Sequence, residues 1–331
     1  GDVYDASQIK KTVEQIKNTA ELSGYSFIEI KPELIPDNEK KIVSIDFKIN
    51  EGPRVYVNNI DISGNTRTVD KVIRREFSLS EGDAYNKYAI EYSRDSIRAL
   101  NFFSDVEVKE LRTEHPDKLD LEIIVEEKNT GEASFGAGYS SATATSLNLG
   151  LKETNFLGKG QKVNFASSFS STRNTYDISY TEPYFYNKEL ALTGNLYSNF
   201  TDPASANYET EDLGFGVKAQ FPIASDTYLE TRYSLFTAKV KADSNATVYE
   251  RLLAGTDTNS TIGYTLNYDR RNSRYKPSRG FNFQIEQDLA GLGGTSYYIK
   301  NSVQYNLYKR LTDELIGAFK FQAGNSNGYN G

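Results

Sequence analysis

The sequence predicts α+β modules of order β-α-α-β-β followed by an antiparallel transmembrane β-barrel, here truncated at about eleven strands. Three observations predict it. From about Gly131 onward apolar and polar residues alternate in segment after segment, with no apolar run long enough for a membrane-spanning helix. The excess negative charge lies wholly in the first part: residues 1–130 hold 26 acidic and 19 basic residues, and residues 131–331 hold 19 of each, for a net charge of −7. Finally, Gly1-Asp2-Val3-Tyr4-Asp5 recurs as Gly82-Asp83-Ala84-Tyr85-Asn86, a repeat of roughly 75–80 residues of the kind that signals arrayed modules.

In the first copy Ile9, Val13, Ile16 and Ala20 share one helical face, and Gly24 is placed to end the helix. Two strands are expected after it, the second carrying Val43, Ile45, Phe47 and Ile49 in alternation. The second copy adds an opening strand (Val55, Val57, Ile60, Ile62), a turn at Gly64-Asn65 and a helix whose apolar face is Val69, Val72, Ile73 and Phe77. A second helix follows with Ile90, Ser93, Ile97 and Leu100 at helical spacing. Strands around Phe103–Leu111 and Leu119–Val125 flank the polar turn Glu114-His115-Pro116-Asp117. The first copy lacks the opening strand and first helix, so it is expected to be an incomplete and less stable module.

Beyond residue 130 the clearest strand sets Leu190, Leu192, Gly194, Leu196, Ser198 and Phe200 against Glu189, Ala191, Thr193, Asn195, Tyr197 and Asn199. Successive side chains point to opposite faces, so one face suits lipid and the other water. Further strands are read at Val163–Phe169, Tyr176–Tyr180, Leu213–Phe221, Ile262–Tyr268, Phe281–Leu289, Ile299–Leu307 and Leu315–Ala323, about eleven in all. Eighteen of the 24 Tyr fall in this part, where an apolar ring with a wet hydroxyl suits a membrane interface. A soluble β-sandwich alternates as well. Asn325-Ser326-Asn327-Gly328-Tyr329-Asn330-Gly331 reads as a loop rather than a strand.

Catalysis finds little support. With no cysteine and a single histidine, His115, a Cys/His pair is impossible, and His115 sits in a polar turn. Asp269-Arg270-Arg271 is either an anion site or a structural charge network. Gly136-x-Gly138 is not a nucleotide fingerprint, because it lies inside a strand pattern with no following helix. Absence of cysteine excludes only a disulfide-stapled scaffold. The chain begins at Gly1 with no charged-then-apolar leader, which fits a processed or excised piece of a longer precursor.

The segment Ile60-Asp61-Ile62-Ser63-Gly64-Asn65-Thr66-Arg67-Thr68, with Ile73-Arg74-Arg75-Glu76-Phe77 and Glu81-Gly82-Asp83, resembles a POTRA (polypeptide-transport-associated) module. Asn101-Phe102-Phe103-Ser104-Asp105-Val106 resembles that module's glycine-aromatic element, with Asn101 where glycine is usual. Phe135-Gly136-Ala137-Gly138-Tyr139, Glu153-Thr154-Asn155-Phe156-Leu157-Gly158-Lys159-Gly160, Tyr180-Thr181-Glu182-Pro183-Tyr184-Phe185 and Tyr268-Asp269-Arg270-Arg271-Asn272 with Pro277-Ser278-Arg279-Gly280 are similar to barrel elements of the POTRA-plus-barrel insertase superfamily, the bacterial outer-membrane assembly factors. The resemblance implies sixteen strands, of which about eleven are present. It divides the chain into a partial POTRA module (1–52), a complete membrane-proximal one (53–128) and the N-terminal part of a barrel (129–331), with residues 1–130 in the periplasm. A closed eleven-strand barrel is the structural alternative. No Arg-Gly-Phe of the kind the family carries in its inward-folding loop is present.

It also implies a function: insertion of β-barrel proteins into the outer membrane, without ATP or any cofactor. The expected partners are unfolded outer-membrane clients, periplasmic lipoproteins and outer-membrane lipid, and no nucleic acid. The first barrel strand, Ala133–Ser140, has the small inward set Ser134, Gly136, Gly138 and Ser140 and the outward set Ala133, Phe135, Ala137 and Tyr139. Glycine weakens a strand; in the family this strand forms one side of a lateral gate, while a tapered wall would explain the small residues equally well. Arg74, Arg75 and Glu76 are expected to point outward from their helix and to meet a lipoprotein partner, or else to be a solvated face. POTRA sheet edges could take an extended client by β-augmentation. Related translocation or autotransporter-assembly pores, and from another class a passive diffusion porin, are the alternatives; a porin has no reason to carry POTRA modules.

Overall fold

The computed structural model describes residues 6–22, 25, 28–37, 39–40, 42–52, 54–140, 144–203, 206–273, 276–312 and 314–329, so the readings at Gly1–Asp5 and Gly24 lie outside them. The chain forms two units, Gly1–Thr130 with Leu157–Lys159, and Gly131–Phe156 with Gly160–Gly331.

The first unit opens with helix α1 (Ala6–Leu22) and an antiparallel pair, β1 (Glu29–Asp37) and β2 (Ile42–Asn50). Ile9, Val13, Ile16 and Ala20 are half-buried, but Leu34, Ile35, Ile42, Val43 and Ile49 are exposed, and none of the described residues up to Asn50 joins the buried core. A second motif follows as β3 (Tyr56–Ser63), α2 (Asp70–Arg74), α3 (Lys87–Ala99), β4 (Phe103–Arg112) and β5 (Lys118–Glu127). Its sheet order is β3-β5-β4, with β5 parallel to β3 and antiparallel to β4. The core is built from Val57, Ile60, Val72, Ile73, Phe77, Ile90, Ile97, Val106, Leu121 and Ile123 among others.

Local chemistry explains these elements. Asn86 accepts from the Ala89 N–H as the N-cap of α3. Buried Ser93 is satisfied, accepting from Ser78 N at 2.8 Å and donating to Ala89 O at 2.6 Å. Strand β3 departs from strict alternation: the register shifts between Val57 and Asn59, a bulge that lets Val57 and Ile60 both face the core three residues apart. Gly64 has φ +87°, and a Cβ there would collide with Val125 O. Helix α2 is shorter than its apolar spacing suggests, and Val69, at its N-cap, is exposed rather than on the inner face. Glu127 ties the connection ahead of α2 to β5: its carboxylate accepts from Thr66 Oγ1 (2.8 Å), Arg67 N (2.9 Å) and Thr68 N (2.6 Å). Burial pushes this carboxyl up, but those hydrogen bonds outweigh it and hold it below its ordinary pKa.

The second unit is an antiparallel sheet of eleven strands: β6 (Gly131–Ser140), β7 (Ala144–Phe156), β8 (Gln161–Ser170), β9 (Arg173–Glu182), β10 (Ala191–Thr201), β11 (Tyr208–Ala224), β12 (Thr227–Ala242), β13 (Gly255–Asp269), β14 (Gly280–Ala290), β15 (Tyr298–Arg310) and β16 (Ile316–Gly328). Each pairs with its sequence neighbours, and no pairing joins β6 to β16 among the described residues. The near end of the sheet is taken as the one where residue 131 enters, the far end as the one where β6 stops. Register lines up one apolar row across seven strands: Ala133, Leu151, Phe165, Ile178, Leu196, Phe215 and Leu235. The opposite face carries rows such as Gln220, Glu230, Thr265, Glu286, Ser302 and Gly324. No described helix is long and apolar enough to cross a membrane; the strands carry that amphipathic pattern instead.

The segment 325–328, expected as a loop, is strand: it pairs with 298–301, and Asn301 Nδ2 donates to Asn325 Oδ1 at 3.1 Å. Its polar composition misled because pairing of amides across strands stabilises a sheet where apolar contacts are lacking.

Between β12 and β13 lies α4 (Val248–Leu253), closed by a capping box in which Thr247 and Glu250 bond each other's backbone N–H. Glu250 also accepts from Asn207 N at 3.2 Å. These bonds, those from Thr247 first, hold the Glu250 carboxyl at about 2. Because its pKa is depressed in the folded state, the cap is fully in force above the ordinary value of 4.5 and is lost as pH falls toward about 2. Protection from exchange of the Asn207 and Thr247 amides, the two that donate to this carboxylate, is therefore expected to fall between those limits in the native chain, and to be low already at neutral pH in Glu250→Ala.

Candidate functional site

Strand β6 pairs with β7 alone among the described residues. Ala133, Phe135, Ala137 and Tyr139 oppose Leu151, Leu149, Leu147 and Thr145 on the apolar face. Ser134, Gly136, Gly138 and Ser140 oppose Gly150, Asn148, Ser146 and Ala144 on the other. Phe135 is 71% and Tyr139 81% exposed. The glycines and alanines leave β6 with few cross-strand contacts, and backbone hydrogen bonds to β7 carry most of its attachment.

The polar face of β12–β14 holds a charge cluster that the sequence reading passed over. Arg232 donates through Nε to Asp288 Oδ1 (2.9 Å), through Nη1 to Thr265 Oγ1 (2.6 Å), and through Nη2 to Glu286 Oε1 (2.7 Å) and Asp288 Oδ1 (2.6 Å). Its side chain is 16% exposed, and that of Asp288 13%. Gly263 makes the reach possible. It sits between Arg232 and Asp288 in the register, and a Cβ there would meet Asp288 Oδ1. The available signal was the period-two spacing of Glu230-x-Arg232 and Glu286-x-Asp288.

Arg74, Arg75 and Glu76 do not project outward as a set. The side chains of Arg75 and Glu76 are only 17% and 16% exposed and lie 3.6 Å apart. Arg74 is half-exposed but engaged, with Nη2 on Ile60 O and Nη1 on Glu81, both at 2.9 Å. Helical geometry continues through Arg75 (φ −69°, ψ −21°), after which Glu76 N and Phe77 N bond Ile73 O and Arg74 O in a tighter turn that moves Glu76 off the face the spacing argument gave it. Arg271 forms a two-pronged pair with Asp269 (2.8 and 2.7 Å) and Arg270 an ion pair with Asp226 (3.1 Å), which makes this run a structural network. His115 lies in its turn, where its backbone N–H donates to Thr113 Oγ1. No cluster of metal-ligating side chains occurs among the described residues.

Residues 155–331 match the Omp85 superfamily domain, and residues 1–52 and 55–128 match the POTRA model, described as a surface antigen variable number repeat. Among curated proteins, the chain is 26% identical to the outer membrane protein assembly factor BamA of Nitratidesulfovibrio vulgaris over 87% of its own length and 36% of that protein's. It is 25% identical to BamA of Neorickettsia risticii over 100% of its own length and 45% of the relative's. A human sorting and assembly machinery component 50 homolog is 26% identical over 90% of the chain and 63% of its own length. The chain thus spans less than half of the two bacterial relatives. Among solved structures, BamA from Haemophilus ducreyi lacking POTRA domains 1–3 superposes with a TM-score of 0.76 at 23% identity, covering 99% of this chain and 66% of that one. CdiB from Escherichia coli gives 0.54 at 12% identity, over 98% and 63%.

Proposed function

Because this chain belongs to the Omp85 superfamily, we propose that it is part of an outer-membrane insertase, which folds and inserts β-barrel clients with β6 as one side of a lateral gate. The observation that carries this is the succession of a β-α-α-β-β POTRA module and an eleven-strand sheet with one apolar and one polar face. A porin needs no such module. The relatives named above as assembly factors support outer-membrane residence, with the POTRA part in the periplasm and unfolded outer-membrane proteins as clients. The division at residues 52 and 128, the absence of enzymatic activity and the lipoprotein and lipid partners belong to this reading. Arg74 is the exposed part of the lipoprotein surface assigned to Arg74, Arg75 and Glu76. Energy comes from client folding itself: an extended client strand gains main-chain hydrogen bonds when it pairs with an open edge.

Within β6, Ala133 and Ala137 offer little grip on β7 and Gly136 and Gly138 none, so this strand separates at lower cost than its leucine-rich neighbours. Single cysteines in place of Gly136 and Ala137 are expected to crosslink to a client stalled during insertion, and those in place of Thr193 and Asn195 on β10 are not. No crosslink at β6 in a correctly folded protein would overturn the gate. The second reading, a translocation pore, predicts crosslinks at polar-face positions away from β6, such as 193 and 195, rather than at β6.

A further inference from the structure

On the apolar face of β14–β16 one row is made of amides. Gln287, Asn301 and Asn325 stand opposite one another in the register. Gln287 Nε2 donates to Asn301 Oδ1 at 2.6 Å, and Asn301 Nδ2 to Asn325 Oδ1 at 3.1 Å. The next row toward the near end is Ile285, Val303 and Ala323, and the two rows after it are aromatic or aliphatic throughout. Toward the far end the next row is Leu289, Ile299 and a further amide, Asn327, and beyond it the rings of Tyr297 and Tyr329 meet edge-on at 6.0 Å.

Rows on one face repeat every two residues, or ~7 Å along a strand, and a tilt of about 40° shortens this to ~5 Å along a membrane normal. Three apolar rows below the amides therefore span only ~15 Å, against an apolar band of about 25 Å in a typical outer-membrane barrel. A band of that height would drown the amide row in hydrocarbon. Each primary amide has two N–H donors, and within the row Gln287 and Asn301 each use one. A polar hydrogen left unbonded in hydrocarbon costs several kcal/mol. Groups that accept from amides at this depth are the ester and amide carbonyls and the hydroxyls of lipids.

We propose that the polar linkage zone of the far leaflet reaches down to Gln287, Asn301 and Asn325, so that lipid carbonyl and hydroxyl groups bond this row. This inference rests on the membrane-wall reading of the sheet and fixes where its lipid boundary runs on β14–β16. The chain contains no cysteine, so single cysteines introduced one at a time as Gln287→Cys, Asn301→Cys, Asn325→Cys, Ile285→Cys, Val303→Cys and Phe321→Cys can each carry a nitroxide in the full chain reconstituted in phosphatidylcholine vesicles. Power saturation with oxygen and with a water-soluble nickel chelate is expected to show several-fold higher nickel access at 287, 301 and 325 than at 285, 303 and 321. Equal depth at 301 and 303 would overturn the proposal, as would shielding of 301 and 325 from both reagents, which would mean protein covers the row. Nickel access at all six positions would instead refute the membrane-wall reading itself.

Discussion

Arg232→Ala is expected to lower the stability of the eleven-strand sheet by about 3 kcal/mol, the low end of what removing one partner of a buried ion pair costs, since Glu286 keeps 31% of its side chain exposed. The loss arises less from the attraction given up than from the three acidic groups left behind, Glu230, Glu286 and Asp288. Asp288 is 13% exposed, and with Arg232 gone it would retain a charge with little water to solvate it. Adding Asp288→Ala to Arg232→Ala should recover part of the loss, because the stranded carboxylate is then removed as well. Gly263→Val should resemble Arg232→Ala, as a side chain between the partners blocks the path of the guanidinium across β13. Urea midpoints of the compact, heat-modifiable form on SDS gels read all four proteins on one scale. If Arg232→Ala unfolds with the native chain, the cluster is not a structural clamp.

Leu121→Ala is expected to cost about 3–5 kcal/mol in the second POTRA motif. Leu121 is fully buried at the centre of β5, which is itself the central strand between β3 and β4. Truncation there removes contacts to both helices' side of the core and leaves a cavity that a three-stranded sheet cannot close, the situation in which large-to-small changes are most expensive. Amide exchange of β5 should quicken by about 10²-fold to several times 10³-fold at about 1.4 kcal/mol per decade, while β8–β10 in the other unit stay unchanged. Equal acceleration in both would mean that the two units unfold together.

Much of this architecture could be read from residue order, because period-two alternation survives wherever one face is apolar and the other wet. The helix of Ile90, Ser93 and Ile97 and all of the strands singled out beyond residue 130 were legible on that ground. Three features were not. The bulge at Val57–Asn59 breaks alternation through backbone geometry that side-chain patterns do not encode. Arg75 and Glu76 were assigned by α-helical spacing, which drifts where the last turn tightens to i→i+3 bonds. The strand 325–328 is held by amide pairing, so hydropathy mistook it for a loop. Of the candidate site, the two faces of β6 could be assigned from its sequence alone, whereas the Arg232 cluster depends on residues from three strands, far apart in sequence, meeting in register.

The row registry of the sheet has a consequence for how such a chain can change over generations. Losing one residue inside β10 would invert every later position of that strand, sending Leu196 to the polar face and Asn195 to the apolar one. Losing two residues would leave the faces intact and only shorten the strand. Heritable length variation in this wall should therefore collect in its connections, or come in steps of two within its strands, and single-residue gaps inside a strand should be rare wherever the wall is still in use.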